Sequence, residues 1–261
     1  MRLMNFLSVL ASLAINAASV DAQDRPFLFT FTSFENKTYP TFVHYDAAYG
    51  RQTFEPLGGD RVEQNLGIEA SLGEVFVVIG HAGLAMDGES SRASEQCELL
   101  AHLMNANESL IDVSAGAGVL HEYGGTNVIL GRVALGRQFA SWQVYGNLLL
   151  EKALSPDRDN IDLTSTVGLS FLVAGAIHLG VEAVGQDLEG FWDPTEAEGG
   201  ARLYCGPVME VGFPGTRWNL TIGGGAIIRA TRSTLTSDAV RDLPTAGGNG
   251  FIFRSVLSFG L

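Results

Sequence analysis

Charged side chains recur in this chain at alternate positions of many segments, with apolar residues between them. Carboxylates and guanidinium groups that share one enclosed surface can form an ion-pair network or line a path for charged solutes. Nearly all the basic residues are arginines, whose planar fork suits carboxylates. The candidates for such an interior surface are Glu63, Glu69, Glu98, Asp112, Arg132, Glu151, Asp162, Glu182, Arg202, Arg229 and Arg254.

Catalytic chemistry has weaker support. The sequence has five histidines, and none stands in a His-x-Ser arrangement. A serine nucleophile needs a base within hydrogen-bond reach. The adjacent residues His121 and Glu122 could form an acid–base pair, but an isolated pair of this kind is usually structural. We therefore predict no catalytic residue.

Metal and cofactor motifs are also weak. The acidic segment from Asp187 to Glu198 carries carboxylates that could bind a hard cation such as calcium, but it lacks EF-hand spacing. The sequence has no P-loop, no dinucleotide fingerprint and no clustered zinc spacing. We predict no metal site and no cofactor.

The elements that must position the charged residues are β-strands, and residues 160–186 show this best. Apolar and polar residues alternate there with a period of two, which is typical of a strand with one polar and one apolar face. The apolar set is Ile161, Leu163, Val167, Leu169, Phe171, Ile177, Leu179, Val181 and Ala183. The polar set includes Asp162, Thr164, Thr166, Ser170, His178, Glu182 and Gln186.

Twelve such segments can be counted. Their approximate ranges are 41–53, 61–72, 75–87, 92–104, 110–121, 127–138, 142–153, 160–171, 176–187, 199–210, 217–230 and 250–261. Connections after even-numbered segments are short, and those after odd-numbered segments tend to be longer. This alternation predicts an all-β fold, a closed antiparallel up-and-down transmembrane barrel of about 12 strands, with a range of about 10 to 14.

The N-terminus resembles a secretory signal peptide over residues 1–22, with Arg2 before an apolar segment and Val20-Asp21-Ala22 as cleavage site. Residues 23–40 form a leader segment in which Phe27, Phe29 and Phe31 alternate, so a short extra strand is possible. The barrel domain then spans 41–261. Beyond the signal, no apolar run is long enough for a membrane helix, which leaves strands to cross a bilayer.

Charge and aromatic residues add two expectations. The formal net charge is -13, which argues against a nucleic-acid partner. Aromatic residues should form two belts at the ends of the strands. The short-turn belt comprises Phe139, Trp142, Phe171, Phe213, Trp218 and Phe259, and the long-loop belt comprises Tyr123, Phe191, Trp192 and Phe251.

The last strand, Phe251–Leu261, alternates and ends in a hydrophobic residue. It resembles the C-terminal targeting strand of Gram-negative outer-membrane barrels, although its final residue is Leu261 and the nearest aromatic is Phe259. The resemblance implies an outer-membrane location, contact with outer-membrane lipid and lipopolysaccharide, and insertion by the barrel assembly machinery. It leaves the oligomeric state open.

In such a barrel the last strands close against the first, so Arg202, Arg229 and Arg254 should face Glu63 and Glu69. The sequence therefore predicts a small porin-like or structural barrel with a narrow charged lumen, either conducting or plugged by its own ion pairs. Two alternatives remain: an outer-membrane barrel enzyme that hydrolyses lipid or peptide, and a soluble secreted β-sandwich or calycin-like binding protein.

Overall fold

A computed structural model describes residues 25–32, 39–51, 61–86, 91–106, 108–155, 161–195, 200–232 and 249–261. Their regular structure is twelve strands and one 3₁₀ turn, Leu188–Phe191. The strands are β1 Thr41–Arg51, β2 Arg61–Leu72, β3 Phe76–Met86, β4 Ser91–Met104, β5 Asp112–His121, β6 Asn127–Gln138, β7 Trp142–Ala153, β8 Asp162–Ala174, β9 Ile177–Gln186, β10 Arg202–Gly212, β11 Trp218–Arg229 and β12 Gly250–Gly260. Each bound lies within three residues of the predicted one.

The strands form one closed barrel in which each pairs antiparallel with its neighbours in the sequence. β1 completes the ring by pairing with β12, from Phe42 opposite Gly260 to Arg51 opposite Phe251. Closure satisfies the hydrogen-bonding groups of every strand edge, which a sheet in hydrocarbon requires. The predicted fold class, a closed up-and-down antiparallel barrel of about 12 strands, is confirmed.

The two faces of the wall follow the period-two pattern of the sequence. In β8 the side chains of Asp162, Thr164 and Thr166 are buried, while Val167 and Phe171 are about half exposed. The same alternation brings a large set of apolar side chains to the outside, among them Leu66, Leu99, Val119, Leu148, Leu150, Leu179, Val181 and Phe253. An apolar exterior around a polar interior is the reverse of a soluble protein and is typical of a barrel in a bilayer.

The predicted aromatic belts are largely found on the exterior. Phe139 stacks on Trp142 at 3.8 Å and Trp218 lies 4.5 Å from Phe259, both at the short-turn end. Phe191, Trp192 and Phe251 are exposed at the other end. Tyr123 was predicted in the long-loop belt, and this prediction is wrong. Tyr123 is only 6% exposed, because its hydroxyl is held by a hydrogen bond that it donates to Asn65 Oδ1 at 3.2 Å.

Three short connections depend on glycine. Gly73, Gly175 and Gly215 have φ values of 72°, 53° and 71°, in the turns after β2, β8 and β10. Only glycine adopts this left-handed region without a steric cost, so these residues permit the tight reversals at one end of the barrel. Among the described residues there is no helix both long and apolar enough to cross a membrane.

Candidate functional site: a lumen crossed by the N-terminal segment

The charged residues singled out from the sequence fall on the inside of the wall. Nine of them are at most 9% exposed: Glu63, Glu69, Glu98, Asp112, Arg132, Glu151, Asp162, Glu182 and Arg254. Arg202 and Arg229 are half-buried and pair in register across β10 and β11, where these strands meet the long loops. The structure thus brings nine of the eleven into the interior and leaves two at its rim.

One ion pair crosses the seam where the barrel closes. Arg254 of β12 donates from Nε to Asp46 Oδ1 at 2.8 Å and from Nη2 to Asp46 Oδ2 at 2.7 Å. We call Arg254 and Asp46 the seam pair. Both side chains are buried, and the two parallel bonds form the strong bidentate geometry. Asp46 was absent from the sequence-based candidates, which had assigned Glu63 and Glu69 to the arginines.

A second ion pair lies in the wall itself. Arg132 of β6 donates from Nε and Nη2 to the two carboxylate oxygens of Glu98 on β4, each at 2.8 Å. We call Arg132 and Glu98 the wall pair. The pair spans the intervening strand β5, where the facing residues are Gly116, in register with Arg132, and Gly118, in register with Glu98. A Cβ on Gly118 would lie 2.3 Å from the Cys97 carbonyl oxygen and 2.6 Å from Glu98 Cγ, so the missing side chain gives room both to the β4 backbone and to the pair.

The N-terminal residues Arg25–Thr32 lie inside the barrel, and we call them the lumen segment. They have no regular secondary structure, and all but Arg25 are buried. The alternation of Phe27, Phe29 and Phe31 therefore does not form the short strand considered from the sequence, because Leu28 and Thr30 are buried as well. The wall contacts come from the middle of β7 and β9, so the segment crosses the lumen near mid-height.

Glu182 of β9 holds the backbone of the lumen segment. Its Oε2 accepts the N–H of Leu28 at 2.9 Å, and its Oε1 accepts the N–H groups of Phe29 at 3.0 Å and Thr30 at 2.7 Å. Consecutive backbone N–H groups form a natural site for an anion. One buried carboxylate thus satisfies three donors that have no secondary structure to bond with.

Two more side chains fix the direction of the segment. Asn147 of β7 accepts the N–H of Phe31 at 2.7 Å and donates to its carbonyl oxygen at 2.9 Å. The hydroxyl of Thr221 donates to the carbonyl oxygen of Arg25 at 2.6 Å. All these contacts are to main-chain atoms, so the wall recognises the segment as a peptide.

The side chains of the lumen segment fill spaces in the wall. Phe27 packs edge-on to Tyr145 and covers Gly168, where an added Cβ would lie 2.4 Å from its ring. Phe29 packs edge-on to Tyr204, with the Arg254 guanidinium 5.0 Å from its ring centroid. Around these rings the barrel has an apolar core, made of Phe27, Leu28, Phe29, Ala48, Tyr145, Val184, Tyr204, Val208, Ile227, Ile252 and Val256.

A small cavity remains beside the segment. It has a volume of about 60 Å³ and is bordered by both ion pairs, by Arg25 and by Phe29. A water molecule needs roughly 10 to 15 Å³ of such space, so the cavity has room for a few waters. With the lumen segment in place, this part of the lumen is closed to solutes.

The buried charge is strongly acidic. In the described residues only two arginines, Arg132 and Arg254, are buried, against twelve carboxylates. These are Asp46, Glu63, Glu69, Glu98, Asp112, Glu122, Glu151, Asp162, Glu182, Asp187, Glu189 and Glu210. An interior of this composition favours cations over anions in any path that opens through it.

The histidines give one arrangement that the sequence did not reveal. His44 Nδ1 lies 2.9 Å from Ser258 Oγ, and His44 Nε2 lies 3.6 Å from Glu69 Oε1. All three residues are buried, and His44 is also stacked against Phe42. The pair considered from the sequence is divided, because His121 is exposed and Glu122 is only 4% exposed.

The acidic segment after β9 begins inside the barrel. Glu189 is buried and accepts the N–H of Leu163 at 2.9 Å. Asp193 is exposed and accepts both the N–H and the hydroxyl of Thr195, and these bonds lower the pKa of Asp193 below its usual value. Residues 196–199 lie outside the described part. Within it, no group of three or more His, Cys, Asp and Glu could hold a metal ion.

A closed antiparallel barrel with an apolar exterior and a charged interior is the architecture of outer-membrane channels. The sequence itself matches no protein-family model and no curated protein. Solved structures do match. A KdgM porin in complex with disordered oligogalacturonate has a TM-score of 0.56 at 9% identity, over 84% of this chain and 99% of that one. The NanC porin has a TM-score of 0.58 at 9% identity, over 84% and 100%.

A third structure of this kind is an outer-membrane channel from Pseudomonas putida F1. Its TM-score is 0.52 at 10% identity, over 91% of this chain and 100% of that one. All three are porins or channels and not enzymes. At these identities the likeness is one of fold, and it confirms the predicted resemblance to small outer-membrane barrels.

Proposed function

We propose that the chain is an integral outer-membrane barrel of the porin-like kind, which passes small cationic solutes when the lumen segment leaves its site. The observation that carries the proposal is the inner face. Nine buried carboxylates lie on the strands of a wall whose lumen is closed by residues 25–32 through non-covalent contacts, and three more lie just beyond the strand ends. Replacing buried charges by well-packed apolar residues is often neutral or stabilising, so a permanently sealed structural barrel would have no need of them.

The membrane location follows from the exterior. The exposed faces of the strands are apolar over most of their length, and aromatic residues flank them. Residues 1–22 serve as the signal peptide for export, with 23–40 as the leader and 41–261 as the barrel; residues 1–24 lie outside the described part. Outer-membrane lipid and lipopolysaccharide surround the wall, and the barrel assembly machinery recognises β12.

Enzymatic activity is not part of the proposal. Among the described residues, the arrangement of Ser258, His44 and Glu69 resembles a nucleophile with its base. Ser258 is 2% exposed and His44 is 1% exposed, which leaves the hydroxyl little access to a substrate. We assign these residues to a buried polar network that joins β12, β1 and β2.

Planar-bilayer conductance tests the proposed function. The refolded wild-type barrel should give small cation-selective currents, and a variant with Phe27→Ser and Phe29→Ser should give currents several times larger because the segment loses its apolar anchors. Phe191→Ser, which alters an exposed side chain at the end of the 3₁₀ turn, is the matched control and should behave like the wild type. If neither the wild type nor either variant carries current, although heat-modifiable gel migration shows that each barrel is folded, the proposed channel function is wrong.

A further inference from the structure

We infer that the site holding the lumen segment is a receptor site for an extended peptide, and that residues 25–32 are an internal ligand that fills it. The inference rests on the proposed function and names a solute class for it: short peptides with a cationic N-terminal end followed by apolar side chains. Main-chain recognition, side-chain spaces and charge each support it.

The main-chain contacts do not depend on which peptide is present. Glu182 accepts three consecutive N–H groups, and Asn147 both accepts from and donates to Phe31. The bonds to Asn147 satisfy the N–H and the carbonyl of one residue together, as a neighbouring strand does. Peptide recognition by such added pairing gives affinity through the backbone, while the spaces for side chains give selectivity.

The spaces for side chains select apolar groups. Gly168 leaves room for the Phe27 ring, and Gly223 leaves room for Leu28, whose Cδ1 would lie 3.0 Å from an added Cβ. The Phe29 ring is held by Tyr204 and by the Arg254 guanidinium. The site therefore fits an aromatic–aliphatic–aromatic sequence.

Charge sets the orientation. Arg25 Nη1 lies 3.6 Å from Asp46 Oδ2, at the N-terminal end of the segment. Acidic side chains on a ligand would meet Glu182 and the other buried carboxylates, which disfavours anionic peptides. A cationic group at the position of Arg25 is favoured for the same reason.

Tethering explains how the chain can both close the site and leave it available. A short flexible tether holds a ligand at an effective concentration in the millimolar range. A free peptide at micromolar concentration therefore cannot displace the intact segment, but it can displace a segment whose tether has been cut. The prediction is a large difference in peptide binding between cut and uncut protein.

The test uses the refolded full chain with a protease recognition sequence in place of residues 34–37. After cleavage, a fluorescent peptide with the sequence of residues 25–32 is added and its anisotropy measured. Binding should be at least tenfold tighter in cleaved than in uncleaved protein. In cleaved protein the affinity for the peptide should fall at least tenfold with Glu182→Gln. It should fall as much when the peptide carries serine at the positions of Phe27 and Phe29. Glu95→Gln, which alters an exposed carboxylate on β4, should bind as the parent does.

Equal binding to the parent and to Glu182→Gln would overturn the inference, as would no binding to a cleaved barrel that has released its segment. If cleavage unfolds the barrel, the uncleaved variant Phe29→Ser replaces it. Its weakened internal ligand should raise peptide uptake at least fivefold over the wild type, and no increase is again a refutation. The readout is occupancy and not current, so a barrel that binds peptide but carries no current contradicts the proposed channel and leaves the receptor site standing.

Discussion

The seam pair and the wall pair have nearly the same local geometry but different surroundings. In each, an arginine in mid-strand makes two bonds of 2.7 to 2.8 Å to one buried carboxylate. The wall pair spans a strand without side chains at the crossing point, so its neighbours are wall atoms. The seam pair touches the lumen segment twice, through the Phe29 ring at 5.0 Å and through Arg25 at 3.6 Å.

This difference in surroundings shows how a lumen that is closed by a segment of the chain could also open. A buried charge is costly unless hydrogen bonds or an opposite charge satisfy it, so the presence of a pair says little about function. What differs is whether the partner groups belong to the wall or to a removable segment. The wall pair should keep the barrel rigid in both states, whereas the seam pair should respond when the segment leaves.

The largest effect is expected for Arg254→Met. The change leaves Asp46 buried without its bidentate partner and removes the cation from the Phe29 ring, so the barrel should lose about 3 to 5 kcal/mol of unfolding free energy. It should also release the lumen segment and raise the bilayer conductance. Urea titration of the refolded protein and single-channel recording measure the two parts. A stable variant with unchanged conductance would contradict the role given to the seam pair.

Arg132→Met should have a comparable effect on stability but a smaller effect on the segment. Glu98 keeps the amide of Gln96 as a donor, so the cost falls near the lower end, about 3 kcal/mol. Arg132 reaches the segment only through Asn147, at a long 3.4 Å. Conductance should stay within about twofold of the wild type. A conductance rise equal to that of Arg254→Met would erase the distinction between the two pairs.

The strands were predictable from the sequence, while the partners inside the barrel were not. Alternation over two residues assigns Arg254 and Glu98 to the inner face without any knowledge of neighbours. Which carboxylate meets Arg254 depends on the stagger between β12 and β1, and this register placed Asp46 within reach. The contact of Glu182 with residues some 150 positions away has no local signal at all.

The glycines show the same limit. Gly116, Gly180 and Gly225 lie against the backbone of the neighbouring strand. Gly168 instead faces a side chain, the Phe27 ring, and Gly118 faces both the Cys97 carbonyl oxygen and the Glu98 side chain. A sequence shows that a residue has no side chain but cannot show which distant group occupies the space.

Gly118→Ala should destabilise the wall pair by overpacking. The new methyl group must displace Glu98 or strain β5, at a cost of about 1 to 3 kcal/mol. The lumen segment is not in contact, so conductance should not change. Gly131→Ala is the control, because its Cβ would find its nearest atom at an ordinary 3.9 Å. Equal unfolding free energies for the two alanine variants, by urea titration, would show that Gly118 gives the wall pair no needed room.

The smallest expected effect comes from Phe29→Leu, and it tests most directly whether the seam pair and the wall pair differ in their contact with the lumen segment. Phe29→Leu keeps an apolar side chain in the core but removes the ring beneath Arg254, which should cost about 0.5 to 2 kcal/mol. In a double-mutant cycle with Arg254→Met, the two changes should be non-additive by at least about 0.5 kcal/mol, because they remove one shared contact. The same cycle with Arg132→Met should be additive within about 0.5 kcal/mol, since Arg132 is linked to the segment through Asn147 and Phe31 and not through the Phe29 ring. If both cycles were additive, the seam pair would be as independent of the lumen segment as the wall pair is, and opening would have to act through Glu182 and Asn147 alone.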